Sequence, residues 1–383
     1  MRPHAAYIHI PFCVKKCAYC DFLSFPSCLE RIDEYVSALC REIELSKTLF
    51  RADGETLDSV YFGGGTPSLL TPAQLERILT ALQKHFRLAD PCEITLEANP
   101  GTVDEEKLKN FRELGINRLS IGVQSLDDSV LRTLGRIHDA ETAKAAVLSA
   151  KHAGFQNISC DMMLGIPGQT KGSLEKTLSF FLSEKIPHIS LYSLILEEGT
   201  PLYARYNGDI EKYVSQEDDR GMYHYVLSTL STSGYAHYEI SNVAIPGFES
   251  RHNMMYWRAE PYYAFGCGAH YYLGNERGRH EEDLDRYIAS VNSDQPAKEK
   301  IYIPEELLDD EARKKEFMML AFRTGNGVDE GDFEARFHIS VESAFGAALD
   351  KEIRAGLVEK TDYGYRLTEK GFDLANQVFL DYI

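Results

Sequence analysis

Three cysteines, Cys13, Cys17 and Cys20, fall within eight residues near the start of the chain. Thiolates this close together can each hold one iron of a cubane cluster. Three ligands leave the fourth iron without a protein donor, open to a ligand from outside. Zinc is the alternative, because His9 lies four residues before Cys13 and completes a Cys3His set. Zinc sites more often use two separated CxxC pairs, and the chain has no second pair. The other five cysteines, Cys28, Cys40, Cys92, Cys160 and Cys267, are scattered and read as small buried hydrophobes. A disulfide framework belongs to small secreted chains, and this chain has 383 residues.

A second constellation is Gly63-Gly64-Gly65-Thr66-Pro67, directly after an apolar run that reads as a strand. Glycines let a backbone approach a ligand closely and present its N–H and C=O groups. The run fits neither the GxGxxG dinucleotide pattern nor the phosphate-binding loop. Four polar residues follow on successive units. Glu97 and Gln124 end the third and fourth strands, and Asp161 sits among apolar residues of the fifth. A buried carboxylate needs a partner, and Arg136 is a candidate. Any one of the four can serve an ion pair or a helix cap. Together they point to one shared ligand at the C-terminal strand ends, where parallel α/β folds carry their sites.

The elements that must position these residues recur at intervals. Strands are expected at 5–10, 57–62, 93–98, 118–124, 157–164 and 188–196, about one strand-plus-helix unit apart. Thr71-Pro72 with Gln74 reads as a helix start, and Leu75, Ile78, Leu79, Leu82 and Phe86 repeat at helical spacing. Gly115 and Gly154 close two further helices. Six βα units in a row predict a parallel sheet, open or rolled into a partial barrel. Residues 197–275 lose this rhythm. Residues 276–312 are strongly charged and are expected to be a linker. From residue 313 to 383 three helices, a small hairpin and a last helix follow the order of a winged helix. The expected organisation is therefore 1–275, 276–312 and 313–383.

The chain is 44% hydrophobic and 26% charged, with a net charge of −18. That composition supports a globular core and excludes a largely disordered chain. The acidic balance argues against nucleic acid as a partner and against a polybasic membrane contact. No apolar stretch reaches the length of a membrane span, and the N-terminus lacks a signal-peptide pattern. A cytoplasmic location is expected.

With these residues in place the chain resembles the radical S-adenosylmethionine (SAM) proteins, and among them the coproporphyrinogen-dehydrogenase-like branch. The cysteine spacing with Tyr19, the run Tyr7-Ile8-His9-Ile10-Pro11-Phe12-Cys13, residues 62–66, Gly122-Val123-Gln124-Ser125 and Gly165-Ile166-Pro167-Gly168-Gln169 carry the resemblance. It implies an incomplete TIM-like (β/α)6 barrel, an α/β fold, with a small C-terminal helical domain. It implies a 4Fe-4S cluster on Cys13, Cys17 and Cys20 whose open iron chelates SAM, the glycine run receiving the amino group. Tyr7, Gly64, Gly65, Thr66, Glu97, Gln124, Arg136 and Asp161 match SAM-contacting positions, and Ile195 matches one near the adenine. An electron from the cluster would release a 5′-deoxyadenosyl radical.

Two departures separate the chain from the dehydrogenase. Phe22 stands where that enzyme's motif continues to a fourth cysteine, and only six residues precede Tyr7, where the enzyme has a longer extension over its active site. Both departures are similar to the haem-chaperone (HemW-type) subfamily. So is HNxxYW, here His252-Asn253-Met254-Met255-Tyr256-Trp257, with residues 262–270 after it. This resemblance adds haem (heme) as a cofactor. His252 is the candidate iron ligand, with Tyr256 and Trp257 as aromatic walls. Met254 and His270 are rival donors, and Cys267 is a candidate for covalent attachment. The function implied is a haem chaperone that transfers haem to an acceptor, such as a respiratory or other haem protein. That leaves room for transient membrane-protein contact through the acceptor and for a homodimer. The alternatives are a radical-SAM enzyme (a coproporphyrinogen III dehydrogenase or a methyltransferase acting on a porphyrin or other aromatic substrate) and a zinc-stabilised binding module.

Overall fold

The computed structural model describes residues 2–50 and 54–383. Six parallel strands form its centre: β1 (Ala5–Ile10), β2 (Thr56–Gly64), β3 (Arg87–Ala98), β4 (Arg118–Gln124), β5 (Asn157–Leu164) and β6 (His188–Ser193). They lie side by side in sequence order, as right-handed βα crossovers require. The helices between them are α1 (Ile32–Phe50), α2 (Pro72–His85), α3 (Glu105–Glu113), α4 (Asp128–Leu134) with α5 (Ala140–His152), and α6 (Lys171–Ser183). Helix α2 starts as its sequence reads, with Thr71 and Gln74 forming a reciprocal capping box. Its stripe Leu75, Ile78, Leu79 and Leu82 is buried against the sheet.

After β6 come α7 (Pro201–Tyr206), α8 (Gln216–Thr232), β7 (Ala236–Glu239), β8 (Asn242–Ala244), α9 (Arg251–Trp257) and β9 (Tyr263–Phe265). Strand β8 runs antiparallel to β6, and β7 pairs with β8. At the other edge β9 lies parallel to β1. The nine-stranded sheet has the order β7-β8-β6-β5-β4-β3-β2-β1-β9, with β1 and β6 not paired to each other. The barrel is thus incomplete, as expected.

Side chains alternate along each strand, and the two faces differ in chemistry. The outer set, including Ile8, Val60, Phe62, Leu96, Leu119, Ile121, Cys160 and Ile189, joins the helices in one core. The inner set is polar, and its members bond to one another. Tyr61 meets Glu97, Ser120 meets Asp161, and Ser159 meets both His188 and Ser190.

Residues 276–307, expected as part of a linker, are folded. Strands β10 (His270–Leu273), β11 (Glu276–His280) and β12 (Tyr302–Leu307) form an antiparallel sheet, and α10 (Leu284–Val291) follows β11. Arg277, Arg279, Glu305 and Glu306 occupy the more open positions, while Gly278, His280 and Tyr302 turn inward. The charge of the segment therefore concealed a strand alternation. The segment is fixed to α1 by a pair of fully buried residues, Glu42 and His280, 2.7 Å apart. Glu42 also accepts hydrogen bonds from the Tyr287 hydroxyl (2.6 Å) and the Gly266 N–H (2.9 Å).

The C-terminal part has its own core, built on Phe317, Phe333, Phe345, Leu349 and Tyr382. Helices Asp310–Ala321, Glu330–Phe337 and Val341–Arg354 precede the hairpin of Val358–Lys360 and Gly364–Leu367. Val328–Asp329 adds a third strand, the winged-helix-like order read from the sequence. Trp257, the last residue of α9 and the only tryptophan, lies under the Arg323 guanidinium of this part at 4.8 Å. Among the described residues no helix is long and apolar enough to cross a membrane.

Candidate functional site

The cysteine loop leaves β1 at Pro11 and is tied down on both sides. Buried Phe12 packs edge-on against Tyr35, and the Phe25 N–H bonds back to the Pro11 carbonyl at 2.7 Å. In the middle, Ala18 donates to the Leu134 carbonyl (2.9 Å) and accepts from the Leu202 N–H (2.8 Å). It packs with Val130, Leu134, Met163 and Leu202 in a small apolar cluster. This contact needs Gly135, whose φ is +71° and whose missing Cβ would lie 3.1 Å from Ala18. The loop is therefore positioned by α4 and α7.

Below the loop the C-terminal ends of the strands enclose a cavity of about 370 Å³. Cys13, Cys17 and Cys20 line it together with Gly64, Gly65, Thr66, Glu97, Gln124, Arg136, Asp161 and Ile195. Eleven of the thirteen residues singled out from the sequence thus face one space. Gly65 is required there, since a Cβ would meet the Phe12 carbonyl oxygen at 2.6 Å. Ile195 stands on the rim, 69% exposed, with Phe22 at 65%.

The polar groups are ordered by one another. Arg136 donates to Asn99 Oδ1 (2.6 Å), to the Gly122 carbonyl (2.7 Å) and to Cys17 Sγ (3.4 Å). Its hydrogen bonds go to these groups, while its charge also acts on Asp161, the partner suggested by the sequence. Asp161 accepts a hydrogen bond from Ser120 at 3.4 Å. Asn99 also donates to Thr66 Oγ1 (2.8 Å), which donates to Cys13 Sγ (3.4 Å). Asn99 was not singled out in advance, although its place just beyond the third strand was a usable signal. Burial pushes the Glu97 carboxyl up to about 7, the Tyr61 hydrogen bond opposing it. Burial likewise raises Asp161 to about 6.

These features fit the cluster and the cationic ligand that the sequence implied. Gln124 holds a left-handed backbone, φ 65°, rare for a residue with a side chain. Its Oε1 is buried without a partner, as is Arg136 Nε. Orphaned polar atoms beside a cavity call for a polar ligand. Two carboxyls and a guanidinium suit a molecule carrying a sulfonium, an amine and a carboxylate. Burial pushes the Cys20 thiol up to about 11, so a thiolate there calls for a cation beside it. The Cys3His zinc set is not available. His9 is buried, with Nδ1 3.0 Å from the Tyr7 hydroxyl and Nε2 3.3 Å from the Leu23 carbonyl.

Tyr7 and His252 lie elsewhere. Tyr7 is on the inner face behind the cavity wall, stacked with Tyr61 at 6.2 Å. His252, expected as the haem-iron ligand, does not line this cavity. It is 1% exposed, and α9 inserts it into the N-terminal end of the barrel. Its Nδ1 lies 2.8 Å from Ser59 Oγ and its Nε2 2.8 Å from the Tyr256 hydroxyl. Burial, then Arg118, pulls the imidazole down to about 3, so it is neutral and its single lone pair is taken by a hydroxyl. Cys267, the candidate for covalent attachment, is fully buried. Met254 lines a second cavity of about 620 Å³ at the N-terminal end of the barrel, and His270 is exposed.

Six parallel βα units, a triple-cysteine loop and a glycine turn sharing one cavity define a radical-SAM protein. The family model described as the Radical SAM superfamily matches residues 7–181, and the HemN C-terminal domain model matches residues 308–374. Membership of that superfamily implies a 4Fe-4S cluster and SAM. The chain is 36% identical to the "Heme chaperone HemW" of Lactococcus lactis, covering 99% of this chain and 97% of that protein. It is 36% identical to the protein so named in Bacillus subtilis (98% of each) and 34% identical to that of Escherichia coli (97% and 96%). The chain belongs to the HemW family. Its fold matches the solved structure of coproporphyrinogen III oxidase (HemN) from Escherichia coli with a TM-score of 0.84. The identity there is 23%, over 100% of this chain and 90% of that one.

Proposed function

We propose that this chain is a haem chaperone that binds haem and a SAM-chelating 4Fe-4S cluster and passes the haem to an acceptor protein. The observation that carries this reading is similarity to proteins of that name over nearly the whole length of both chains. The cavity supports the SAM part. Cys13, Cys17 and Cys20 hold the cluster, Gly64, Gly65 and Thr66 offer backbone groups, and Glu97, Gln124, Arg136 and Asp161 hold the polar ends of the ligand. When bound, the cluster supplies an electron to the sulfonium. The haem iron takes its donor from a group nearer the surface than His252, such as Met254 or His270.

The test is anaerobic reconstitution with iron and sulfide, then titration with haem and with SAM, with Cys17→Ser alongside. A cluster whose spectrum responds to SAM, with stoichiometric haem binding and haem transfer without porphyrinogen turnover, supports the reading. Cys17→Ser is expected to lose the cluster and SAM binding while stability falls by less than about 1 kcal/mol, since the loop anchors at Ala18 remain. SAM turnover on a porphyrinogen without haem binding would move the chain to the enzymes instead.

A further inference from the structure

Glu97 does not hold its place alone. Tyr61, on the neighbouring strand β2, donates its hydroxyl to Glu97 Oε1 at 2.8 Å across the inner face. That is the one side-chain hydrogen bond of Tyr61 among the described residues, so packing alone would be served as well by phenylalanine. Two rings lie against Tyr61: Tyr7, with centroids 6.2 Å apart and planes at 20°, and His252, at 5.1 Å and 29°. His252 is fixed in turn by Ser59 and Tyr256, and the carboxylate of Glu93 accepts its backbone N–H at 3.1 Å. A continuous line of contacts thus runs from α9, at the N-terminal end of the barrel, to the ligand cavity at the C-terminal ends of the strands.

We propose that Tyr61 is a positioning residue for SAM: its hydroxyl holds the Glu97 carboxyl toward the ligand, and α9 braces Tyr61 from behind. This rests on reading the cavity as the SAM site. The groups that face Glu97 are Tyr61 and the Gly64 N–H on β2, Arg118 on β4 and Asp161 on β5. Tyr7, Tyr192 and Tyr256 also feel its charge. Burial raises the carboxyl, Asp161 adds to this, and the Tyr61 hydroxyl opposes it. Loss of the hydroxyl therefore raises the carboxyl further. A sulfonium is a permanent cation, so its binding weakens as the pH falls and Glu97 takes up a proton.

The experiment measures SAM affinity of the cluster-loaded protein, anaerobically, across neutral pH, for wild type, Tyr61→Phe, Glu97→Gln and the double variant. Tyr61→Phe keeps the ring contacts and is expected to fold. It should bind SAM about tenfold more weakly at neutral pH and move the midpoint of the pH dependence upward by about one unit. The double variant should be no weaker than Glu97→Gln alone. If Glu97→Gln weakens binding while Tyr61→Phe leaves affinity and midpoint unchanged, the positioning role is wrong and the SAM site stands. An equal loss at every pH with no shift of midpoint also overturns it, leaving a packing role. If Glu97→Gln has no effect, the reading of Glu97 as a SAM contact fails first.

Discussion

Glu97, half-buried on the cavity wall, and His252, fully buried, are polar residues of one barrel, and the sequence offered both as ligand contacts. Glu97 was legible because it ends a strand on the face where ligands bind, and the structure puts it on the cavity wall. The role of His252 was not legible, because a histidine in a short motif carries no sign of which way its helix turns. Its two hydroxyl partners come from Ser59, far away in sequence, and from Tyr256. His252→Ala should cost about 3 kcal/mol in denaturant unfolding, since it leaves a buried cavity, the Ser59 and Tyr256 hydroxyls each lose a hydrogen bond, and Tyr61 loses a stacked ring. Haem affinity of the folded variant should stay near wild type; a selective loss of haem binding would restore His252 as a ligand. Glu97 gives the opposite sign. Its folded carboxyl sits near 7 against an ordinary value of 4.5, so the folded state binds the extra proton between those values. Stability without ligand therefore falls as pH rises through that window. Glu97→Gln should raise Tm by about 2 °C at pH 8 and change it little at pH 4, as scanning calorimetry would show.

Among the elements, the six parallel strands were readable because short β-rich runs recur at regular intervals with helical spacing between them. Strand β3 begins earlier than expected, at Arg87, where its first residues pair with Thr56 and Leu57 outside the main apolar run. The segment at 276–307 was missed because half of a strand's residues face outward, and here those are charged. What holds that segment, Glu42 on α1 and His280 on β11, comes together only in the fold. The cysteine loop shows the same dependence on distant elements. Its shape rests on Gly135 at the end of α4, which the sequence reading passed over. Gly135→Ala should cost about 1–2 kcal/mol, because alanine resists φ +71° and its Cβ presses on Ala18. The displaced loop should hold less cluster iron per chain after reconstitution than wild type. A variant that loses stability but binds full iron would show that the loop adapts.

At the scale of the molecule, the barrel and the C-terminal part each bury a core of their own, HNxxYW helix α9 lying at their junction. Besides the ring contact between Arg323 and Trp257, the parts are joined by main-chain bonds from the Ile240 N–H to the Arg323 carbonyl (2.9 Å) and from the Gly325 N–H to the Tyr238 carbonyl (2.8 Å), and by side chains that include Arg277 on Glu316 (2.6 Å), Arg336 on the Arg258 carbonyl (2.6 Å) and His237 against Phe372 (4.9 Å). Two separate cores, joined by mostly polar contacts, are expected to come apart in two steps. The broad division into a barrel and a terminal helical unit was readable from the change of rhythm along the chain; the joint was not, because no local pattern marks it. Trp257 makes that joint visible by light. With one indole in the whole chain, tryptophan emission excited at the red edge has a single origin, beside the Arg323 guanidinium. On adding denaturant its spectrum should shift red before far-ultraviolet circular dichroism is lost, whereas coincident curves would mean that both cores melt as one. Haem absorbs where tryptophan emits, so the same indole serves as a molecular ruler: porphyrin held beside α9 would extinguish it, and porphyrin held at the far mouth of the barrel would dim it less.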